Sequence, residues 1–434
     1  MKQLFAGLLL CLLALALPAQ SLYFPPNNNT VWETISPQSL GYCPAEIDSL
    51  YQLLDQANSK AFILLKDGKI VLEKYFDTFT KDSLWYWASA GKTMTAMLVG
   101  IAQQEGRLLL SDTTSDYLGK NWTSCTPTQE EKITIWHQLT MSSGLDDGVA
   151  DPYCTLSSCL QYNADAGTRW AYHNAPYTLL DGVLESATGQ TLNAYFGSKI
   201  RTPTGMNGLF LPSGYNNVLF STPRSMARFG LLVLNKGNWN GTPVLKDSAY
   251  FTQMVNTSQA LNPSYGYLWW LNGKSSYRVP GLQFSFPGPL FPDAPADMFA
   301  ALGKNGQFIC IVPSQNLVFV RMGDSPGAGD VPYLLCNDIW KKINRLTCAA
   351  TATGALRAGD IAIYPNPAAS SFRVEMPDGV ANWELSVQDL TGRQVGVYRN
   401  QLTVSVAHWP SGMYYLTARL DGGLLLTQKL LVER

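Results

Sequence analysis

Charge is scarce in this chain. Only 15% of its 434 residues are Asp, Glu, Lys or Arg, and the formal net charge is -1. That balance excludes a basic surface for nucleic acid or for an anionic membrane. Histidine is scarcer still, with three residues in all, and no cysteine spacing has the form of a zinc site. No ligand set for a catalytic metal can be assembled, and no cofactor is expected. Beyond the N-terminus there is no run of ~20 apolar residues, so no membrane span is expected.

What the chain has is apolar and aromatic side chains: 46% hydrophobic residues, with 12 Trp and 21 Tyr. This describes a packed globular protein, and the length suggests two or three units. Lys2, an apolar run over 4–17 and then Pro18-Ala19-Gln20-Ser21 read as a cleaved secretory signal, residues 1–20. Residues 21–43 form a Pro/Asn-rich leader. Cys11 leaves with the signal, and the other seven cysteines are odd in number, so at least one thiol stays free or pairs between chains. Cys154 and Cys159 are the expected bridge, and Cys310, inside an apolar run, reads as a buried thiol.

Pro44 opens an amphipathic helix with Ile47, Leu50, Leu53 and Leu54 on one face. Apolar runs over 61–66 and 69–76 flank Asp67-Gly68, a hairpin signal. Helices are expected over 133–140, 176–187, 192–200, 225–234 and 331–345, and strands over 265–271, 299–302, 307–312 and 317–321. Residues 44–346 therefore read as an α/β domain whose sheet comes from both ends of the segment, with helices covering it. Residues 347–359 are an Ala/Thr/Gly-rich linker. Residues 360–434 change texture to short alternating strands, a small all-β sandwich.

Chemistry concentrates at Ser89-Ala90-Gly91-Lys92. A serine and a lysine three apart on a helix share a face. The residues after them are almost wholly apolar, so the helix is expected to be buried and the lysine pKa depressed by desolvation. Ser89 then sits at a helix start, where backbone N–H groups favour developing negative charge. Alone the pattern is unspecific, since an N-cap serine followed by a snorkelling lysine produces it too. Two further motifs add weight. Tyr172-His173-Asn174 supplies a phenol to shuttle the serine proton and an amide to hold the lysine or a substrate carbonyl. Lys304-Asn305-Gly306-Gln307, at the mouth of an apolar strand, supplies a cation for a substrate carboxylate and for lowering the Tyr172 pKa, with a glycine to let substrate approach.

The three motifs in this order resemble the serine β-lactamase and penicillin-binding superfamily, in its class C-like branch of esterases, amidases and DD-peptidases. S-x-x-K falls on Ser89 and Lys92, Y-x-N on Tyr172 and Asn174, and a K-T-G-like motif on Lys304 and Gly306. Supporting phrases are Leu139-Thr140-Met141-Ser142-Ser143-Gly144, Pro203-Thr204-Gly205-Met206 and Tyr265-Gly266-Tyr267-Leu268-Trp269-Trp270. The resemblance implies an antiparallel sheet flanked by helices plus a helical subdomain, with the site between them. It implies acylation of Ser89, Lys92 and Tyr172 as the base system, and Asn174 and Lys304 orienting substrate. The oxyanion donors would be the backbone N–H groups of Ser89 and Gln307. Asn305 and Gln307 depart from the lactamase pattern towards the esterase and amidase relatives. The expected activity is hydrolysis of a small ester or amide, with DD-carboxypeptidase or β-lactamase action, or a non-catalytic binding protein, as alternatives.

The C-terminal module resembles the sorting domain of the Bacteroidota type IX secretion system, on Tyr364-Pro365-Asn366-Pro367, Leu390-Thr391-Gly392-Arg393 and Pro410-Ser411-Gly412-Met413-Tyr414-Tyr415-Leu416. That implies the secretion machinery as a partner and a location in the medium or at the cell surface. One competing motif remains. Gly323-Asp324-Ser325-Pro326-Gly327 fits a G-x-S-x-G nucleophile elbow, but loop residues follow where a helix is required, and the only downstream histidine is His408.

Overall fold

A computed structural model describes residues 22–28, 31–327, 331–348, 361–376, 382–420 and 425–433. The expected signal at 1–20 and nearly all of the expected linker at 347–359 lie outside the described residues. The chain divides into two compact units, Met1–Thr347 and Cys348–Arg434.

The first unit is built on an antiparallel sheet. Its strands are β1 (Ser59–Lys66), β2 (Lys69–Tyr75), β3 (Trp270–Leu271), β4 (Phe299–Gly303), β5 (Gln307–Val312) and β6 (Leu317–Gly323), in the order β2-β1-β6-β5-β4-β3. The β1–β2 hairpin turns at Asp67-Gly68, both with positive φ. The C-terminal hairpins then dock on it through β6, with Phe62 opposite Arg321 and Leu65 opposite Val318.

Helices cover both faces. Successive strand residues point to opposite faces, and β6 shows which helix takes which. Val318 meets α4 (Pro223–Leu234), where a Cβ on Gly230 would lie 2.6 Å from the valine. Phe319 packs its ring against Trp340 of α5 (Tyr333–Ile343), centroids 5.6 Å apart. The missing side chain at Gly230 thus lets α4 lie directly on the sheet. The amphipathic helix opened by Pro44 is α1 (Pro44–Gln56), with Ile47, Leu50 and Leu54 buried.

The helical part of this unit holds α2 (Lys92–Gln104), buried from Lys92 to Ala102, and α3 (Asn174–Thr188). A three-stranded sheet of Trp85–Tyr86, Asn216–Ser221 and Leu209–Ser213 leads the chain into α2. The expected strand over 265–271 shrinks to Trp270–Leu271. Leu268 has φ 61°, and Gly266 is pressed against the Met254 carbonyl, so the backbone cannot run straight there.

Cys154 and Cys159 are bridged. Cys310 is a buried free thiol 3.4 Å from Cys336. The second unit is all β: a three-stranded sheet of Ala362–Tyr364, Ser371–Glu375 and Thr403–Ser405, and a four-stranded one of Gln394–Arg399, Trp383–Asp389, Gly412–Leu420 and Leu425–Val432. Among the described residues no helix is long and apolar enough to cross a membrane.

Candidate active site

Ser89 sits in a single 3-10 turn, Ala88–Gly91, immediately before α2. The turn is held rigidly from behind. Trp87 N donates to Leu219 O (2.8 Å) and Trp87 Nε1 to Ser221 Oγ (2.8 Å). Ala88 has φ 46°, a conformation that costs a non-glycine residue energy and persists only where its surroundings enforce it.

One turn into α2, Lys92 is buried at 4% exposure. Its Nζ donates to Asn174 Oδ1 at 2.8 Å and lies 3.2 Å from Ser89 Oγ. The amine also rests on two rings, 4.2 Å from the Tyr177 centroid and 5.4 Å from that of Tyr172. The Ser89 hydroxyl in turn acts on the Tyr172 phenol. The structure thus brings Ser89, Lys92, Tyr172 and Asn174 into one cluster. Asn174 begins α3, and Tyr177 and Asp181 follow it at helical spacing towards the same lysine.

The electrostatics follow from burial. Desolvation lowers the Lys92 pKa to about 7, opposed by the charge of Asp181. A lysine near that value is half unprotonated at neutral pH and can accept a proton. Burial raises the Tyr172 phenol well above its ordinary value, the Ser89 hydroxyl partly offsetting this. The expectation of a lowered Tyr172 pKa is therefore corrected: the ring is stacked on Trp270 (5.8 Å, 22°) and edge-on to Tyr265 (6.3 Å), away from water. Sequence reading missed Asp181, a buried carboxyl whose pKa rises to about 7 through desolvation, with Asn217 Nδ2 (3.0 Å) donating to it. Its signal was an acidic residue on the buried face of an otherwise apolar helix.

The Lys304–Gly306 segment behaves differently from its reading as a substrate-facing edge. It is the turn between β4 and β5, and Asn305 and Gly306 both have positive φ. A Cβ on Gly306 would meet Arg321 Nη1 at 2.3 Å, so the glycine makes room for a guanidinium. Arg321 is fully buried and donates to Asn305 O (2.7 Å), Gly306 O (2.8 Å) and Ser59 Oγ (2.9 Å). The Gln307 side chain is committed to β6, donating to Gly323 O (2.6 Å) and accepting from Gly323 N (3.0 Å). Lys304 is exposed at the tip.

Backbone parity revises the oxyanion expectation as well. Asn272 N donates to Met298 O (2.9 Å), so Met298, Ala300 and Leu302 direct their backbone groups to the β3 side of β4. Gly303 points the other way, to its register partner Gln307. Pairing with β3 ends at Ala300–Trp270, which leaves the edge open at Leu302. Gly303 itself lies against the Ser89 turn: a Cβ there would be 3.0 Å from Ala90 N.

The other candidates take structural roles. Ser325 Oγ donates to Gly327 O (2.7 Å) in the turn after β6. His137 caps a short helix with Thr134, and burial lowers its pKa to about 4. His173 is 2% exposed and turned into the protein.

A six-stranded antiparallel sheet between helical layers, with a serine–lysine turn at the open edge of β4, is the β-lactamase/transpeptidase-like architecture. The Beta-lactamase family model matches residues 48–333, and the chain belongs to that family of hydrolases. Residues 362–433 match the secretion system C-terminal sorting domain, which makes this a secreted or cell-surface protein of the type IX route. An uncharacterized protein of Alkalihalophilus pseudofirmus is 26% identical over 64% of this chain and 87% of its own length. Among solved structures, a protein described as a 6-aminohexanoate-dimer hydrolase from Bacillus anthracis has TM-score 0.56 at 20% identity, covering 74% of this chain and 88% of its own. One described as a β-lactamase from Bacteroides dorei has TM-score 0.56 at 17% identity, covering 70% and 99%. The octameric penicillin-binding protein homologue from Pyrococcus abyssi has TM-score 0.53 at 15% identity, covering 90% and 96%.

Proposed function

We propose that the protein is an exported serine hydrolase that cleaves a small ester or amide through an acyl-enzyme on Ser89. The observation that carries this reading is the buried Lys92 amine, bonded to Asn174 and 3.2 Å from the Ser89 hydroxyl. Unprotonated Lys92 takes the serine proton as Oγ attacks the carbonyl carbon. The resulting oxyanion is met by the backbone N–H groups of Ser89 and, at the open edge of β4, Leu302. Tyr172, a neutral phenol, gives its proton to the leaving alcohol or amine and recovers one from Lys92 as the carbon–heteroatom bond breaks. Water then reverses the sequence and frees the acid. Asn174 keeps the amine aimed at the serine. Lys304 has no assigned part.

The Bacillus anthracis neighbour, described as a 6-aminohexanoate-dimer hydrolase, supports placing small linear amides and esters ahead of β-lactams as substrates. We further propose that residues 44–346 carry the hydrolase, that 1–20 are removed on export and that 347–359 link it to the sorting module at 360–434. The test is a panel of p-nitrophenyl esters, linear amides, a D-Ala-D-Ala peptide and a chromogenic cephalosporin. Turnover of esters or amides that disappears in Ser89→Ala supports the reading. Unchanged turnover in that variant, or hydrolysis of the cephalosporin alone, overturns it.

A further inference from the structure

We propose that the acyl group this site accepts is neutral and apolar, a chain of several carbons seated in a cavity between Trp270, Leu302 and Tyr333. The inference rests on the serine-hydrolase reading and adds a substrate class to it. The cavity has a volume of about 260 Å3, and Val279, Pro280, Leu290 and Val331 complete its wall. Among the described residues no charged side chain lines it. For scale, an apolar cavity of roughly 150 Å3 stays dry and takes up benzene.

Two of its walls adjoin the Ser89 cluster. Trp270 stacks on Tyr172, the ring on which the Lys92 amine rests. Leu302 lies on the open edge of β4, where the carbonyl of the acyl group would be held. A chain leaving that carbonyl along the edge enters the cavity directly. The opposite wall is the loop after Arg278, tied to the Tyr172 segment by Gln283 Nε2 donating to Trp170 O (3.0 Å). Further along, the same loop exposes Leu282 (49%) and Phe284 (62%). A larger hollow of about 550 Å3, among Leu110, Trp136 and Tyr267, has no lining residue stacked on Tyr172.

The experiment measures kcat/KM on p-nitrophenyl acetate, butyrate, hexanoate, octanoate and the negatively charged succinate half-ester. A parallel series of acetate esters varies the alcohol instead. Burial of each methylene is worth about 0.8 kcal/mol, close to fourfold per carbon. The expected result is a rise of that order from acetate to hexanoate, with the succinate half-ester at least tenfold below butyrate. Val279→Trp, on a half-buried loop, should cut the hexanoate-to-acetate ratio about tenfold, and Leu302→Phe should move it the same way. A flat acyl series, a preference for succinate, or chain-length dependence only on the alcohol side overturns the proposal while leaving Ser89 turnover intact. Absence of any Ser89-dependent turnover removes the underlying hydrolase reading together with it.

Discussion

Replacing Lys92 by methionine should destroy activity and stabilise the protein. An exposed lysine titrates at 10.5, and burial brings Lys92 to about 7. Between those values the unfolded chain holds a proton that the folded chain has released, so the amine disfavours folding there. Above about pH 10.5 the penalty is absent. It grows as pH falls and is complete below 7, where the drop from 10.5 to about 7 corresponds to roughly 5 kcal/mol. Methionine is of similar length and needs no proton. It leaves Asn174 Oδ1 without its donor, at a cost of about 1–3 kcal/mol. The balance below pH 7 is a gain of about 2–4 kcal/mol, several degrees in the melting temperature of the larger unit. Thermal unfolding of the parent and K92M at pH 6, 7, 9 and 10 measures it. The advantage of the variant should shrink steadily as pH rises. A difference that does not vary with pH, or a variant less stable at pH 6 than the parent, would refute the reasoning.

Three further outcomes follow from the same geometry. The kcat/KM profile should rise with pH through about 7 as Lys92 loses its proton, and Asp181→Asn, by removing the charge that favours the ammonium, should move that limb to lower pH; a stationary limb contradicts the coupling. Tyr172→Phe should lower kcat/KM by roughly 10²–10⁴ with little change in thermal unfolding, and an active phenylalanine variant would remove the phenol from the proton path. Gly306→Ala places a Cβ 2.3 Å from Arg321 Nη1 at φ 81° and should destabilise the unit by about 1–3 kcal/mol in thermal unfolding; an unchanged transition contradicts the packing role.

The convergence of Ser89, Lys92, Tyr172 and Asn174 was readable because its signals are local. Ser89 and Lys92 are three residues apart, Tyr172 and Asn174 two, and a buried apolar helix announces itself by composition. The β1–β2 hairpin was equally plain at Asp67-Gly68. What could not be read depends on partners far along the chain. The Lys304–Gly306 turn looked like a substrate edge, but its glycine answers to Arg321 on the neighbouring strand. Which backbone N–H faces the open edge depends on where β3 stops pairing, and β3 is two residues long. Asp181 and the Trp270 cavity become visible only when α3, β4 and the loop after Arg278 are packed together.

The most direct measurement is peptide mapping by mass spectrometry after acid quench of the full chain reacting with p-nitrophenyl hexanoate. The expected result is one hexanoyl group on Ser89, absent in Ser89→Ala. Acylation on Ser325 or another residue, or steady turnover with no adduct on Ser89, would contradict the proposed chemistry.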